Sequence, residues 1–259
     1  MLKFKLLIGI AGLLLCSFHT NRSLQTDYFC EYIVKHSSPH LSCTLIEGTF
    51  EGLHRSEDPT PDTLLHIFNS PSINLRYHEN YGTGGGFDVL GKRFLLGKDH
   101  SNKGAYMSPT HPGFNIDTNL AKVYSLVLKS GKKYLLIMSS GKAEYEMGSN
   151  QIIVLYSLFD VTDAAAPRYY MLRSRYGCIN NIGDFNNDGK LDFIELEYKN
   201  DVSDKENEQG FRLKALTLVN DDFVAMTDQA GKKYEVIFNR RLVNNKTYDF
   251  KIVREYWWQ

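Results

Sequence analysis

Gly183-Asp184-Phe185-Asn186-Asn187-Asp188-Gly189-Lys190-Leu191-Asp192, running on into Phe193-Ile194-Glu195-Leu196-Glu197-Tyr198, is the stretch on which the reading of this chain turns. Counting Asp184 as position 1, oxygen-bearing side chains stand at positions 1, 3, 5 and 9. Gly189 stands at position 6, where the chain must turn sharply, and Lys190 at position 7 can offer its backbone carbonyl. Calcium takes six to eight oxygen ligands, and a tight loop of alternating Asp and Asn presents them on one side. Three carboxylates this close repel one another unless a cation sits among them. A solvated acidic turn without an ion is the alternative.

The flanks decide what kind of loop it is. Glu195 at position 12 and Leu191 at position 8 also satisfy an EF-hand pattern. An EF-hand needs a helix on each side, and the entering segment, Tyr176-Gly177-Cys178-Ile179-Asn180-Asn181-Ile182-Gly183, carries two Gly and two Asn where that helix would run. On the exit side Ile194, Leu196 and Tyr198 alternate with Glu195 and Glu197, which is the period of a strand. The segment therefore reads as strand–loop–strand.

Around it the chain reads as β. There are 16 Tyr and 15 Phe, 13% aromatic residues, together with 20 Gly, a mix that favours strands and turns over helices. Candidate strands lie at 123–128, 134–139, 152–158 and 168–172, and a second series at 179–183, 193–198, 213–219 and 223–226. Ile137 aligns with Ile194 and Arg168 with Phe223, a repeat of about 55 residues. Two four-strand units at that period suggest propeller-like blades of four antiparallel strands; one antiparallel β-sandwich with evenly spaced strands is the alternative. Segments 234–239 and 248–256 could begin a third unit. Residues 18–120 read as an irregular β region, with short candidate strands at 64–68, 73–77 and 94–96 between turn-rich stretches, and no helical period sustained over eleven residues.

With these residues in view, the stretch from Ile182 to Asp192 resembles an FG-GAP/VCBS repeat, the calcium-loop blade of integrin-alpha-like propellers. It is similar in the Gly-Asp lead, the Asp/Asn ladder and the apolar strand that follows. The resemblance covers about 20 residues strongly, and about 50 with the downstream strands. It implies calcium held between two strands of a blade by Asp184, Asn186, Asp188, the Lys190 carbonyl and Asp192, with the outer loops free to bind partners. The motif occurs once, whereas the family usually repeats it; the matching turn at 128–133 lacks the acids.

The N-terminus reads as an export signal. Met1-Leu2-Lys3-Phe4-Lys5 precedes an apolar run from Leu6 to Leu15, a basic n-region followed by a short h-region. The run is too short for a membrane-spanning helix, which needs roughly 20 residues, and no later stretch approaches that length. Two fates are open. Cleavage after Ser17 would give a signal peptide of residues 1–17 and a secreted or periplasmic protein. Lipidation of Cys16 would anchor the chain at a cell surface, although Leu15 suits a lipobox poorly. Of the remaining cysteines, Cys30 and Cys43 are close in sequence and are expected to bridge in an oxidising compartment. A zinc site of Cys30, His36, His40 and Cys43, or free thiols, are the alternatives.

Other signals exclude more than they assign. Thirty Lys and Arg balance thirty Asp and Glu, which argues against a nucleic-acid binder. No Gly-x-Ser-x-Gly elbow and no His-Glu-x-x-His occurs. Gly82-Thr83-Gly84-Gly85-Gly86 lacks the Lys-Ser/Thr ending of a phosphate loop. All eight histidines fall at or before His111, and His100, His111, Asp99 and Asp117 could line a site. Tyr256-Trp257-Trp258 reads as an aromatic closing strand, with a carbohydrate platform as the alternative. The sequons at Asn21 and Asn245 matter only in a eukaryotic host. The expectation is an exported, calcium-binding, mostly-β binding or structural module whose partner is an extracellular protein or glycan. An extracellular hydrolase with structural calcium, or an EF-hand protein, are the alternatives.

Overall fold

A computed structural model describes residues 23–53, 63–80, 85–96, 99, 115–142, 153–175, 177–199, 208–243 and 247–257. The leader, Cys16, the glycine-rich turn at 82–84, His100, His111 and Trp258 lie outside the described residues. The chain is mostly β, as the composition implies. After one helix, α1 (Ser23–His36), come three antiparallel sheets. The first is a meander of β2 (Thr49–Leu53), β3 (Thr63–Asn69), β4 (Leu75–Asn80), β5 (Gly86–Val89) and β6 (Lys92–Leu95). The middle sheet runs β1 (Leu41–Ile46), β8 (Lys122–Leu128), β9 (Lys133–Lys142), β10 (Ile153–Asp160) and β11 (Arg168–Ser174), with β7 (Asn115–Ile116) on the end of β9. The third holds β12 (Ile182–Gly183), β13 (Asp192–Lys199), β14 (Glu208–Val219), β16 (Glu235–Val243) and β17 (Thr247–Tyr256), with β15 (Asp222–Ala225) beside β14.

Strand periodicity explains how the sheets stack. Successive side chains point to opposite faces, and the middle strands are apolar at consecutive positions. On β9, Leu135 and Ile137 join a core shared with the first sheet, while Tyr134 and Leu136 join one shared with the third. On β10, Leu155 and Phe159 go one way and Tyr156 and Leu158 the other. The opposing surfaces supply Tyr77, Phe87 and Phe94 on one side and Ile182, Leu191 and Phe193 on the other. The far face of the third sheet places Ile194, Leu196, Phe211 and Phe238 against Phe29, Tyr32 and Ile33 of α1. Each such side chain taken out of water contributes about 1.5–3 kcal/mol. Two of the buried tyrosines in these layers find acceptors: Tyr77 donates to Asn115 Oδ1 at 3.0 Å and Tyr156 to the Cys178 carbonyl at 3.1 Å.

Several sequence expectations are met and others corrected. The two four-strand series do form sheets, and the offset pairs the second strand of each, β9 with β13, and the fourth of each, β11 with β15. The segments at 234–239 and 248–256 extend the third sheet as β16 and β17 rather than starting a new unit. The sheets are wider than four strands: six, six and five. Segment 179–183 is a 3-10 turn, Ile179–Asn181, followed by the short β12. The region 18–120 holds an ordered five-stranded meander and a helix that the periodicity missed. Among its described side chains α1 sets Tyr28, Phe29, Tyr32 and Ile33 against the third sheet, a stripe too short to mark an eleven-residue window. Lys35 and His36 in its last turn complement the helix dipole. No described helix is long and apolar enough to cross a membrane.

The expected Cys30–Cys43 bridge is not formed. Cys30 is bonded to Cys178, with Cα atoms 6.1 Å apart, and Cys43 is a free, exposed thiol. The reason is topological. Helix α1 packs on the third sheet, whereas Cys43 lies on β1, paired to Leu126 of the middle sheet. The short sequence separation therefore spans two layers. The bond also removes Cys30 from any zinc site, and His36 instead stacks on Tyr32 with ring centres 4.3 Å apart. The bridge closes a separation of 148 residues, tying the N-terminal helix to the turn that enters the third sheet. Mass mapping of non-reduced protein is expected to recover a Cys30–Cys178 peptide pair. Cys178→Ser should cost about 2–5 kcal/mol in denaturant unfolding, and Cys43→Ser should leave the midpoint unchanged.

Candidate metal centre

The acidic loop joins β12 to β13, strands rather than the helices an EF-hand needs. Its curl is set by side chains gripping backbone amides. Asp184 Oδ1 accepts the Asp188 N–H and Oδ2 the Gly189 N–H, both at 2.9 Å. Asn186 Oδ1 accepts the Asp188 N–H at 3.2 Å, and Asp188 Oδ1 the Lys190 N–H at 2.9 Å. Asp192 Oδ2 reaches back across the loop to the Phe185 N–H at 2.8 Å. Gly189 adopts φ +81°, the left-handed turn expected at position 6. Gly183 is required for another reason: a Cβ there would sit 2.8 Å from the Pro39 side chain and the Phe185 ring.

The five sequence-predicted residues divide into two groups. Asp184 and Asp192 form the buried base of the loop, 1% and 0% exposed. Asn186, Asp188 and Lys190 form its exposed rim, where the Lys190 ammonium lies 3.0 Å from Asp188 Oδ2. Among the described residues no three His, Cys, Asp or Glu side chains stand together at metal-binding spacing. The donor chemistry nonetheless suits calcium. Every candidate is a hard oxygen, and a carboxylate that accepts one amide keeps further lone pairs for a cation.

The electrostatics single out Asp192. Its Oδ1 is buried with no hydrogen-bond partner among the described residues. The hydroxyl of Thr217, its cross-strand neighbour, is unpartnered too, lying alongside without hydrogen-bonding geometry. Burial pushes the Asp192 carboxyl up to about 7, with the charges of Asp188 and Asp184 adding to the rise and the Thr217 hydroxyl and Phe185 amide opposing it. At Asp188, burial works upward, but the Lys190 amide and ammonium outweigh it and hold the carboxyl below its usual range.

Residues outside the motif hold the loop, and sequence reasoning did not find them. Lys129 Nζ donates to Asn187 Oδ1 at 2.8 Å, and Ser130 Oγ to the Gly189 carbonyl at 3.1 Å. Both belong to the β8–β9 turn of the middle sheet, the turn at 128–133 that lacks acids of its own. Buried Asn181 donates to the Ile194 carbonyl at 2.6 Å and accepts the Cys178 N–H at 3.0 Å, fixing the entry to the loop. Only Ser130 and Lys129 in a tight turn hint at this in sequence, and nothing there names their partner.

Of the histidine-rich alternative only Asp99 and Asp117 are among the described residues. Asp99 accepts the Leu95 N–H at 2.8 Å and Asp117 the Asn119 N–H at 3.1 Å, so both cap local turns. At the C-terminus Tyr256 stacks on Tyr234, and Trp257 packs against the third-sheet core, as a closing aromatic strand does. The chain matches no known family, no curated protein and no solved structure.

The Asp192 carboxyl has a definite pH signature without calcium. Its folded value lies above the ordinary 3.8, so between about pH 4 and 7 the folded state holds a proton that the unfolded chain releases. That contribution to stability is full at low pH and is lost as pH rises toward 7. In chelator, denaturant melts across this range are expected to show a falling stability that Asp192→Asn flattens. An unchanged slope in the variant would place the orphaned carboxyl elsewhere.

Proposed function

We propose that this is an exported calcium-binding β protein, a binding or structural module in which calcium locks the β12–β13 loop. The observation that carries the reading is the buried, unpartnered Asp192 oxygen at the base of a loop whose other side-chain donors are Asp184, Asn186 and Asp188. Asp184, Asn186, Asp188, the Lys190 carbonyl and Asp192 would hold the ion, and the ion would supply the positive charge these crowded carboxylates lack. The Lys190 ammonium covers part of that need at Asp188 and would have to yield. The FG-GAP/VCBS-type resemblance and the face-to-face stacking of three antiparallel sheets support a propeller-like arrangement of blades. The Cys30–Cys178 bond supports a secreted, periplasmic or cell-surface location. The partner would be an extracellular protein or glycan, and the Cys16 lipid anchor remains a proposal of the leader alone.

The role of the ion is passive. A loop between two strands has no hinged helix pair to open, unlike sensor EF-hands. Extracellular calcium sites bind at about 10⁻⁴ to 10⁻³ M, and linkage gives about 2.7 kcal/mol of added stability at one hundred times the dissociation constant. Calorimetry is expected to show calcium binding that Asp188→Ala abolishes. Melting temperature should climb with calcium while the β-rich circular dichroism spectrum stays the same. Absence of calcium-dependent heat, or a large gain of helix, would defeat the proposal.

A second reading, an extracellular hydrolase with structural calcium, draws on one arrangement. Buried His66 on β3 places Nε2 3.1 Å from Glu79 Oε2, and its Nδ1 lies 3.5 Å from the Thr118 hydroxyl. That is a hydroxyl, an imidazole and a carboxylate in sequence, the order of a nucleophile, a base and its orienting group. Hydrolysis of activated esters that disappears in His66→Ala, at unchanged melting temperature, would favour it. No turnover leaves His66 and Glu79 as a buried structural pair.

A further inference from the structure

We infer that the outer face of the first sheet is an oxyanion-binding site, built by Arg76 and Arg93, for a small ligand carrying a phosphate, sulfate or carboxylate group. The strand register sets it up. Arg76 on β4 stands directly opposite Asp88 on β5, and Asp88 directly opposite Arg93 on β6. These charged side chains therefore share one row on the face turned away from the core, since Leu75, Tyr77, Phe87 and Phe94 occupy the other face, and the row continues through Ile67 to Glu51 on β2.

Within the row the roles differ. Asp88 receives two bonds from Arg93, from Nε at 2.7 Å and from Nη2 at 3.0 Å, a fork that fixes the plane of the guanidinium. His78 closes the same cluster, with Nε2 2.7 Å from Asp88 Oδ2 and 2.8 Å from Arg93 Nη2. The Asp88 charge is thereby already met, and Arg93 Nη1 takes no part in the fork. Arg76 has no ion-pair or hydrogen-bond partner among the described residues. Arg76 and Arg93 line an open pocket of about 490 Å³ together with Asn74, Asp88 and Gly91.

A cavity of that size accepts a ligand as large as a small sugar phosphate. One guanidinium held in plane and a second left unpaired present planar, always-charged donors, the geometry that matches oxyanions. Asn74 adds an amide that can serve a neighbouring hydroxyl. Around the cavity two guanidinium groups stand against the one carboxylate of Asp88; Glu51, the other acid of the row, lies two strands from Arg76, beyond Ile67. The site lies on the first sheet, apart from the acidic loop of the third, and does not depend on calcium there.

Titration calorimetry of the chain with sodium phosphate, sodium sulfate and a short sulfated oligosaccharide tests it. Saturable binding of at least one probe is expected, weakening as salt rises. Arg76→Gln should weaken it about tenfold or more, and Arg93→Lys, which keeps the charge but loses the fork, should weaken it as well. Asp188→Ala should bind the probe as the wild type does, which separates this site from the calcium loop. Tighter binding of the oligosaccharide than of either inorganic anion identifies a saccharide-borne group; equal affinities identify the free anion. No saturable binding of any probe, or wild-type affinity in Arg76→Gln with the fold intact, overturns the inference.

Discussion

The strands β8 to β11 carry apolar side chains on both faces, so the sheet they form cannot stop at one covering layer. Tyr156 and Leu158 on one side, Leu155 and Phe159 on the other, are all essentially without solvent contact. An antiparallel sheet with one wet face would expose half of them, at about 1.5–3 kcal/mol for each large side chain. The first sheet and the third sheet are the two covers, and the route of the chain follows from providing them. The third sheet is itself apolar on its far face, and α1 is the cap that ends the stack.

The N-terminal segment crosses these layers. Within a few residues it supplies α1 to the third sheet and β1 to the edge of the middle one. Its Cys30 is bonded to Cys178 just before the acidic loop, and the His40 amide donates to the Asp184 carbonyl at 3.3 Å. Tyr32 of α1 donates to Glu255 on β17 at the opposite edge of the third sheet. One end of the chain thus fastens the entrance, the base and the far edge of the sheet that carries the loop.

The loop is also a joint between layers. Lys129 and Ser130 of the middle sheet hold its tip, while Asp184 and Asp192 sit in its buried base. An acid buried beside two others is costly unless a proton or a cation offsets its charge. In the proposed calcium-bound state, the ion would neutralise that base and stiffen a turn that the neighbouring sheet already grips.

Much of this was legible in the residues alone. The alternation of Ile194, Leu196 and Tyr198 with Glu195 and Glu197 marked β13, and the spacing from Asp184 to Asp192 marked the loop and its Gly189 turn. Periodicity is local, so it survives without tertiary context. The helix α1 was hidden because its described core contacts, Tyr28, Phe29, Tyr32 and Ile33, cover too short a stretch to show a period, and its stability comes from the third sheet beneath it. The partner of Cys30 was misplaced because proximity in sequence says nothing about which layer a segment joins. The Asp192 oxygen left without a partner, the grip of Lys129 and Ser130, and the row of Arg76, Asp88 and Arg93 arise only when strands distant along the chain are brought into register. The sequence by itself determined which segments are strands and where the acids cluster, since side-chain pattern acts over a few residues. The tertiary structure alone decided which faces meet, which cysteines bond and which charges stay unpaired, because those depend on the packing of both faces of one apolar sheet.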